Sequence, residues 1–431
     1  MKKYIILLSM FFYILCSCAK TQSDYEMSID SSTLPPVSGD NATSGDNATS
    51  GNITTSGDNA TSGVITTSPL PTEFPSQTEI PFVEPSPSPC PIDTLIDSMT
   101  IREKIGQLFI CRIPDDAKNW LDKFPVGGFI LFGENVQSIE QVQKLTSDLQ
   151  SWSDLQLFIA IDEEGGRVSR TGKLFSPRIP AAFEVGKNGP EAVYASAYTI
   201  GIRLKILGVN MNFAPVADIR SNQKNSVIGD RAYASEPELA AQCVYQAVRG
   251  FTDAGVLSVL KHFPGHGDTF EDSHHSIAVY NGDKTRFDIF ESVPFKHGID
   301  AGAAGIMTGH IAAPKITADE NVRDWLLKWH ESGMLPATFS FYLQNEILRG
   351  EMGFNGLIIS DALEMRALTS NFSDAQIAVG AFLAGADILL MPQKIEPAVN
   401  AMLDAYEAGF ITDERLNESL RRILKIKIEM P

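Results

Sequence analysis

Eight short apolar runs, each followed by a longer stretch with helical periodicity, predict an α/β chain folded as a (β/α)8 barrel. The runs are fully apolar rather than alternating, which is what parallel strands covered by helices on both faces require. Charged residues close several of these runs, so their side chains would converge at one mouth of the ring. An open doubly wound sheet shares the alternation of strand and helix, but the count of eight favours closure.

The elements follow in chain order. Residues 1–18, MKKYIILLSMFFYILCSC, place two lysines before an apolar run too short to span a bilayer comfortably, the pattern of a signal peptide. The segment Leu15-Cys16-Ser17-Cys18 resembles a bacterial lipobox, with Cys18 as the residue to be lipidated; a plain secretory signal is the alternative. Acyl chains on Cys18 would hold the protein at a membrane without a spanning helix. Residues 19–90 form a tether in which SGDNAT and its variants recur with a period of six from Ser38, followed by a Pro- and Ser-rich stretch. Such compositions bury too little apolar surface to offset chain entropy. A short-period β-solenoid would need an apolar position in every repeat, and most repeats lack one.

From residue 91 to 431 the texture is that of one large domain, long enough for a single core. Its apolar runs are GQLFICRI (106–113), GGFILFG (127–133), LFIAID (157–162), MNFAPVAD (211–218), VLSVLKHF (256–263), AGIMTGHI (304–311), GLIISDAL (356–363) and ADILLMP (386–392). Between them SIEQVQKLTSDLQSW, EAVYASAYTIGIRLKILG and PELAAQCVYQAVRGFTDAG read as helices. Cysteines 90, 111 and 243 are spaced like neither a metal set nor a paired framework. A net charge of −18 disfavours nucleic acid as a partner.

Four of the seven histidines crowd into KHFPGHGDTFEDSHH, residues 261–275. A metal site is the first reading, since His262 and His266 have the i, i+4 spacing of two ligands on one helix face. Pro264 and Gly265 argue against a helix there, and no HExxH motif or Cys-rich partner is present, so neither metal nor cofactor is expected. The carboxylates say more. Asp162, Asp218 and Asp361 end apolar runs, as do Lys261, His262 and His310; one alone could cap the next helix, but together they mark a mouth. Asp361, fixed after Ser360 at the end of a buried run, suits a nucleophile at an anomeric carbon. Its proton-donating counterpart could be His274, with Asp272 orienting the ring and stabilising the imidazolium.

The motifs IDEEGGRVSR (161–170), NMNFAPVADI (210–219), IGDRAY (228–233), KHFPGHGDTFEDSH (261–274), PATFS (336–340) and IISDALEM (358–365) resemble glycoside hydrolase family 3, within it the NagZ-type β-N-acetylglucosaminidases, from about Leu95 to Lys427. The resemblance implies a barrel, metal-free hydrolysis with retention through a glycosyl-enzyme, Asp361 as nucleophile, and His274 with Asp272 as acid/base. It also implies that Asp162, Arg170, Arg231, Lys261 and His262 hold the sugar in the −1 subsite. His266 is expected to shape its loop, His275 to have no role, and His310 to lie near the site.

Two features depart from family patterns. The chain ends in the helical stretch LNESLRRILKIKIEMP, so a one-domain, monomeric form is expected, without the second domain from which the β-glucosidase branch takes its acid/base. The lipobox and tether point outside the cytoplasm, to wall fragments or other exported N-acetylglucosaminides as substrates. Phosphorolysis, a mixed β-glucosidase/N-acetylglucosaminidase activity, and a tethered sugar receptor with a dead site are the alternatives.

Overall fold

Each of the eight apolar runs contributes a strand to one parallel sheet in the structure, a computed structural model that describes residues 90–270 and 276–430. In chain order the strands are β1 (Phe109–Arg112), β2 (Gly128–Leu131), β3 (Phe158–Ile161), β4 (Met211–Asn212), β5 (Leu257–Phe263), β6 (Ala278–Val279), β7 (Gly305–Thr308), β8 (Ile311–Ala312), β9 (Leu357–Ser360) and β10 (Leu389–Leu390). The main sheet has the order β10-β1-β2-β3-β4-β5-β7-β9, and β6 pairs with β8 apart from it. Its two ends meet: Ile359 bridges Ile388, Ser360 N donates to Ile388 O at 3.0 Å, and Ile388 N donates to Ile358 O at 3.1 Å. A ring with no open edge results.

Two runs depart from their predicted extents, each for a local reason. MNFAPVAD keeps only Met211–Asn212 as strand, because Pro215 has no N–H to give a ladder. AGIMTGHI divides between β7 and β8, so its end leaves the barrel and pairs with β6, where Tyr280 N donates to Ala312 O at 2.8 Å. The three helical stretches form Ile139–Ser151, Pro190–Ile206 and Pro237–Asp253. Ser138 caps the first of these, and proline opens the other two, where its missing N–H costs nothing. The latter two pack closely because small residues face each other. A Cβ at Gly201 would come within 2.5 Å of Ala254 Cβ, and one at Gly250 within 2.7 Å of Tyr194 O.

The strands bury Phe, Ile, Leu and Val side chains on both faces, inside the ring and under the helices. The terminal helix Asp413–Glu429 meets the residues just before β2 and β10. Buried Asp387, just before β10, accepts from Ser419 Oγ at 2.6 Å, Arg422 at 3.1 Å, Arg349 at 2.5 Å and Ile358 N at 3.0 Å. Beside it Lys427 is buried among neutral groups: its amine donates to Gln107 Oε1 and Gly127 O, both at 2.8 Å, and lies 4.9 Å from the Phe158 ring centre. Burial lowers this amine from 10.5 to about 7.

Unfolding returns Lys427 to its ordinary value, so between those two pH values the unfolded chain holds a proton that the folded chain has shed. Stability should therefore rise with pH across that window, by on the order of 5 kcal/mol from this group. Lys427→Met should flatten the rise in denaturant titrations run from pH 6 to 10. An unchanged slope in the variant would assign the pH dependence to other groups.

Candidate active site

Three consecutive acids follow β3 and do three different jobs. Asp162 accepts from Lys261 Nζ at 2.6 Å and lies 4.0 Å from the Arg170 guanidinium. Glu163 staples the loop that follows, accepting from Arg170 N and Thr171 N, both at 2.7 Å, and from Ser169 Oγ. Its own backbone is fixed by Asn212, whose side chain bonds Glu163 N and O, each at 2.9 Å. Glu164 turns into the floor of the mouth, where it takes a bidentate contact from Arg231 at 2.8 Å and a contact from Lys261 Nζ at 2.7 Å. Gly165 and Gly166 then reverse the chain at φ of 86° and 55°, with a Cβ blocked by Pro180 O in one case and Ala181 in the other.

Burial alone would raise the Glu164 carboxyl, but the charges of Arg231 and Lys261 outweigh it and hold the group far below the usual carboxylate range. Burial alone would likewise lower the Lys261 amine, yet Asp162 and Glu164 keep it above its ordinary value. Both cations stay charged in a nearly dry floor because their counter-ions are built in.

Lys261 and His262 are adjacent in β5, where a regular strand would send them to opposite faces. The pairing of β5 with β7 shifts register between Leu260 and Phe263, and such an irregularity re-aims side chains. Both residues consequently reach polar partners at the mouth. His262 Nδ1 lies 2.7 Å from Asp218 Oδ2, and its Nε2 lies 3.4 Å from Arg231. With Nδ1–H donating to the carboxylate, Nε2 is left as the acceptor.

Asp218 also accepts from His266 N at 2.6 Å. His266 Nδ1 meets Thr269 Oγ1 at 2.6 Å, and its carbonyl accepts from Asn225 at 2.7 Å. The two imidazoles stand edge to face at 5.8 Å, with His266 buried and, by that burial and the nearby His262, held below its ordinary value. The i, i+4 spacing here belongs to a strand end and a turn, not to a helix.

Asp361 directly follows β9, at the same end of the sheet. Its N–H donates to Thr308 O at 2.9 Å, and Ala362 N donates to its Oδ1 at 2.7 Å. His310 is fully buried and braces the next residue, with Nε2 at 3.0 Å from Ala362 O and Nδ1 at 2.7 Å from Thr338 Oγ1. It lies near the site as a support.

The structure thus unites Asp162, Arg170, Arg231, Lys261 and His262 in one network and sets Asp361 at the same mouth. Asp272, His274 and His275, like Cys18 and the repeat, lie outside the described residues. Sequence reasoning passed over Glu163 and Glu164, although three successive acids after a strand were visible in IDEEGG. It noted Asp218 as a strand end but not as the common partner of two histidines.

Residues 100–426 match the glycosyl hydrolase family 3 N terminal domain. The β-hexosaminidase A of Pseudoalteromonas piscicida is 36% identical over 338 residues, which are 74% of this chain and 56% of that protein. A glycoside hydrolase family 3 β-N-acetylglucosaminidase from Paenibacillus sp. is similar in structure, with TM-score 0.71 and 38% identity over 77% of this chain and 62% of that one. The β-glucoside phosphorylase BglX is similar at TM-score 0.69 and 26% identity, over 79% of this chain and 60% of that one. The chain spans less than two thirds of the length of each of these relatives.

Removing the charge of Glu164 while keeping its shape should leave Lys261 and Arg231 buried with half their compensation. Glu164→Gln is expected to cost about 3–5 kcal/mol of unfolding free energy, read from the denaturant midpoint. A loss below about 1 kcal/mol would mean that Asp162 alone balances both cations.

Proposed function

Since the chain belongs to glycosyl hydrolase family 3, we propose that it is a retaining exo-β-N-acetylglucosaminidase acting on terminal β-linked N-acetylglucosamine of wall fragments or similar glycans. The observation that carries this reading is the joint placement of Asp361 and the Asp162–Lys261–Glu164–Arg231 network at one barrel mouth. A network of charged donors and acceptors suits ring hydroxyls, and its bonds can tighten as charge develops on the sugar.

In the first step Asp361 forms a bond to the anomeric carbon as the glycosidic C–O bond breaks. The imidazolium of His274 gives its proton to the departing oxygen, and Asp272 offsets the charge it held. In the second step neutral His274 takes a proton from water, whose oxygen bonds to the same carbon as the Asp361 ester bond breaks. Two displacements retain the configuration. Neither step calls for a metal.

The lipobox at Cys18 and the Ser/Gly/Asn/Thr tether support an extracytoplasmic protein anchored to the bacterial membrane by lipid.

Phosphorolysis is a second reading, favoured by the likeness to a β-glucoside phosphorylase. In that case phosphate would replace water as the acceptor, which a histidine acid/base permits because it adds no negative charge to repel it.

Turnover of a slow 5-fluoro-N-acetylglucosaminyl substrate should leave a covalent label on the peptide holding Asp361, detected by mass spectrometry; a label on another residue would overturn the mechanism. Asp361→Ala should lower kcat/KM on an aryl β-N-acetylglucosaminide by at least about a thousandfold. Initial rates with and without phosphate separate the two readings. Free sugar at full rate in phosphate-free buffer is the expected outcome, and a phosphate requirement with sugar 1-phosphate as product would replace hydrolysis by phosphorolysis.

A further inference from the structure

His310 stands where two parts of the chain diverge. β7 ends at Thr308, whose carbonyl accepts from Asp361 N at 2.9 Å, and just past His310 the chain turns out of the barrel into β8. The His310 carbonyl accepts from Ala278 N at 3.2 Å, at the start of β6 and four residues after His274 in sequence. Its side chain, fully buried, spans from Ala362 O at 3.0 Å to Thr338 Oγ1 at 2.7 Å. One residue therefore touches both the chain just past the proposed nucleophile and the chain that follows the proposed acid/base.

The partners fix the ring. A carbonyl only accepts, so Nε2 must carry a proton toward Ala362 O, and Nδ1 faces the Thr338 hydroxyl. Thr338 is itself held: its Oγ1 lies 3.3 Å from Gly309 O, and Gln344 Nε2 donates to its carbonyl at 3.0 Å. The peptide units around Asp361 show what the ring does. On one side Asp361 N is bonded to Thr308 O. On the other, the unit joining Ala362 and Leu363 is held at both ends, its oxygen by His310 and its N–H by Leu390 O at 2.8 Å. The unit between them donates its N–H to Asp361 Oδ1 at 2.7 Å and cannot turn without straining those bonds. Loss of the His310 contact removes one of the two holds on the 362–363 unit, so the carboxylate gains room to swing.

We infer that His310 is a positioning residue for the covalent step, aligning Asp361 through the Ala362 carbonyl without taking part in the grip on the sugar. This rests on the assignment of Asp361 as nucleophile. The contribution belongs to formation of the glycosyl-enzyme. Attack needs the carboxylate in line with the anomeric carbon, whereas in the second step the ester bond itself places Asp361.

The full chain and its variants can be compared on a slow 5-fluoro-N-acetylglucosaminyl substrate, following the rate at which label appears and the rate at which labelled enzyme regains activity. His310→Leu, which removes both ring nitrogens, should label roughly ten- to a hundredfold more slowly. Reactivation, and inhibition by free N-acetylglucosamine, should stay within about twofold of the parent. His310→Gln, whose amide can reach Ala362 O, should recover most of the lost rate. Thr338→Val, which withdraws only the partner of Nδ1, should slow labelling about fivefold in the same pattern, and it carries the test if His310→Leu does not fold. Unchanged labelling in these variants overturns the inference. So does an equal fall in labelling, reactivation and sugar inhibition, which marks a merely structural role. The parent enzyme separates the two levels. A label on a residue other than Asp361 removes the nucleophile and this inference with it, whereas a label on Asp361 that the variants do not slow sinks the inference alone.

Discussion

The Glu164 carboxylate lies between Lys261 and Arg231, and the layout of the mouth depends on that contact. Cations that are to face a sugar at the end of a closed, apolar ring must lose most of their water. They stay charged there only beside fixed counter-charges. Lys261 comes from β5, Arg231 from a short turn after β4, and Glu164 from the loop after β3, so one carboxylate also registers three neighbouring loops. Asp162 shares the load from above, and Glu163 holds the chain that presents Arg170.

Asp218 does comparable work one strand over. It receives the ring and the backbone of His262 together with the backbone of His266, so the chain leaving β5 is tied down for its first turn. Burial would raise this carboxyl, but His262 and His266 outweigh it and lower it instead. Asp268 extends the anchoring, with Ser221 Oγ at 3.3 Å and Arg286 at 3.5 Å. The stretch rich in histidine is thus organised by carboxylates. Asp218 holds the ring of one of its histidines and the backbone of a second.

The barrel was legible because its signal is redundant: eight buried runs, each with a helix after it, and polar residues at one end of most of them. Residues such as Lys261 and Asp162 could be placed at the mouth on that basis alone. What escaped was set by local backbone geometry that periodicity does not encode. The register shift in β5 lets consecutive residues serve the same mouth, and Pro215 trims β4 to two residues. Glu163 and Glu164 look like ordinary surface acids in a Gly-rich loop until the turn at Gly165 and Gly166 folds them inward. The departure of β8 from the barrel is equally invisible in an apolar run that continues past β7.

Closure of the ring has a temporal consequence. β1 pairs with β10, and Lys427 donates to a carbonyl 300 positions earlier, so the sheet is not complete until β10 is available, nor its base until the last helix is. Contacts this distant in sequence make folding slow, and a partly synthesised barrel exposes an open edge. A chain that is held unfolded until fully delivered avoids that stage, since both ends of the ring then become available together.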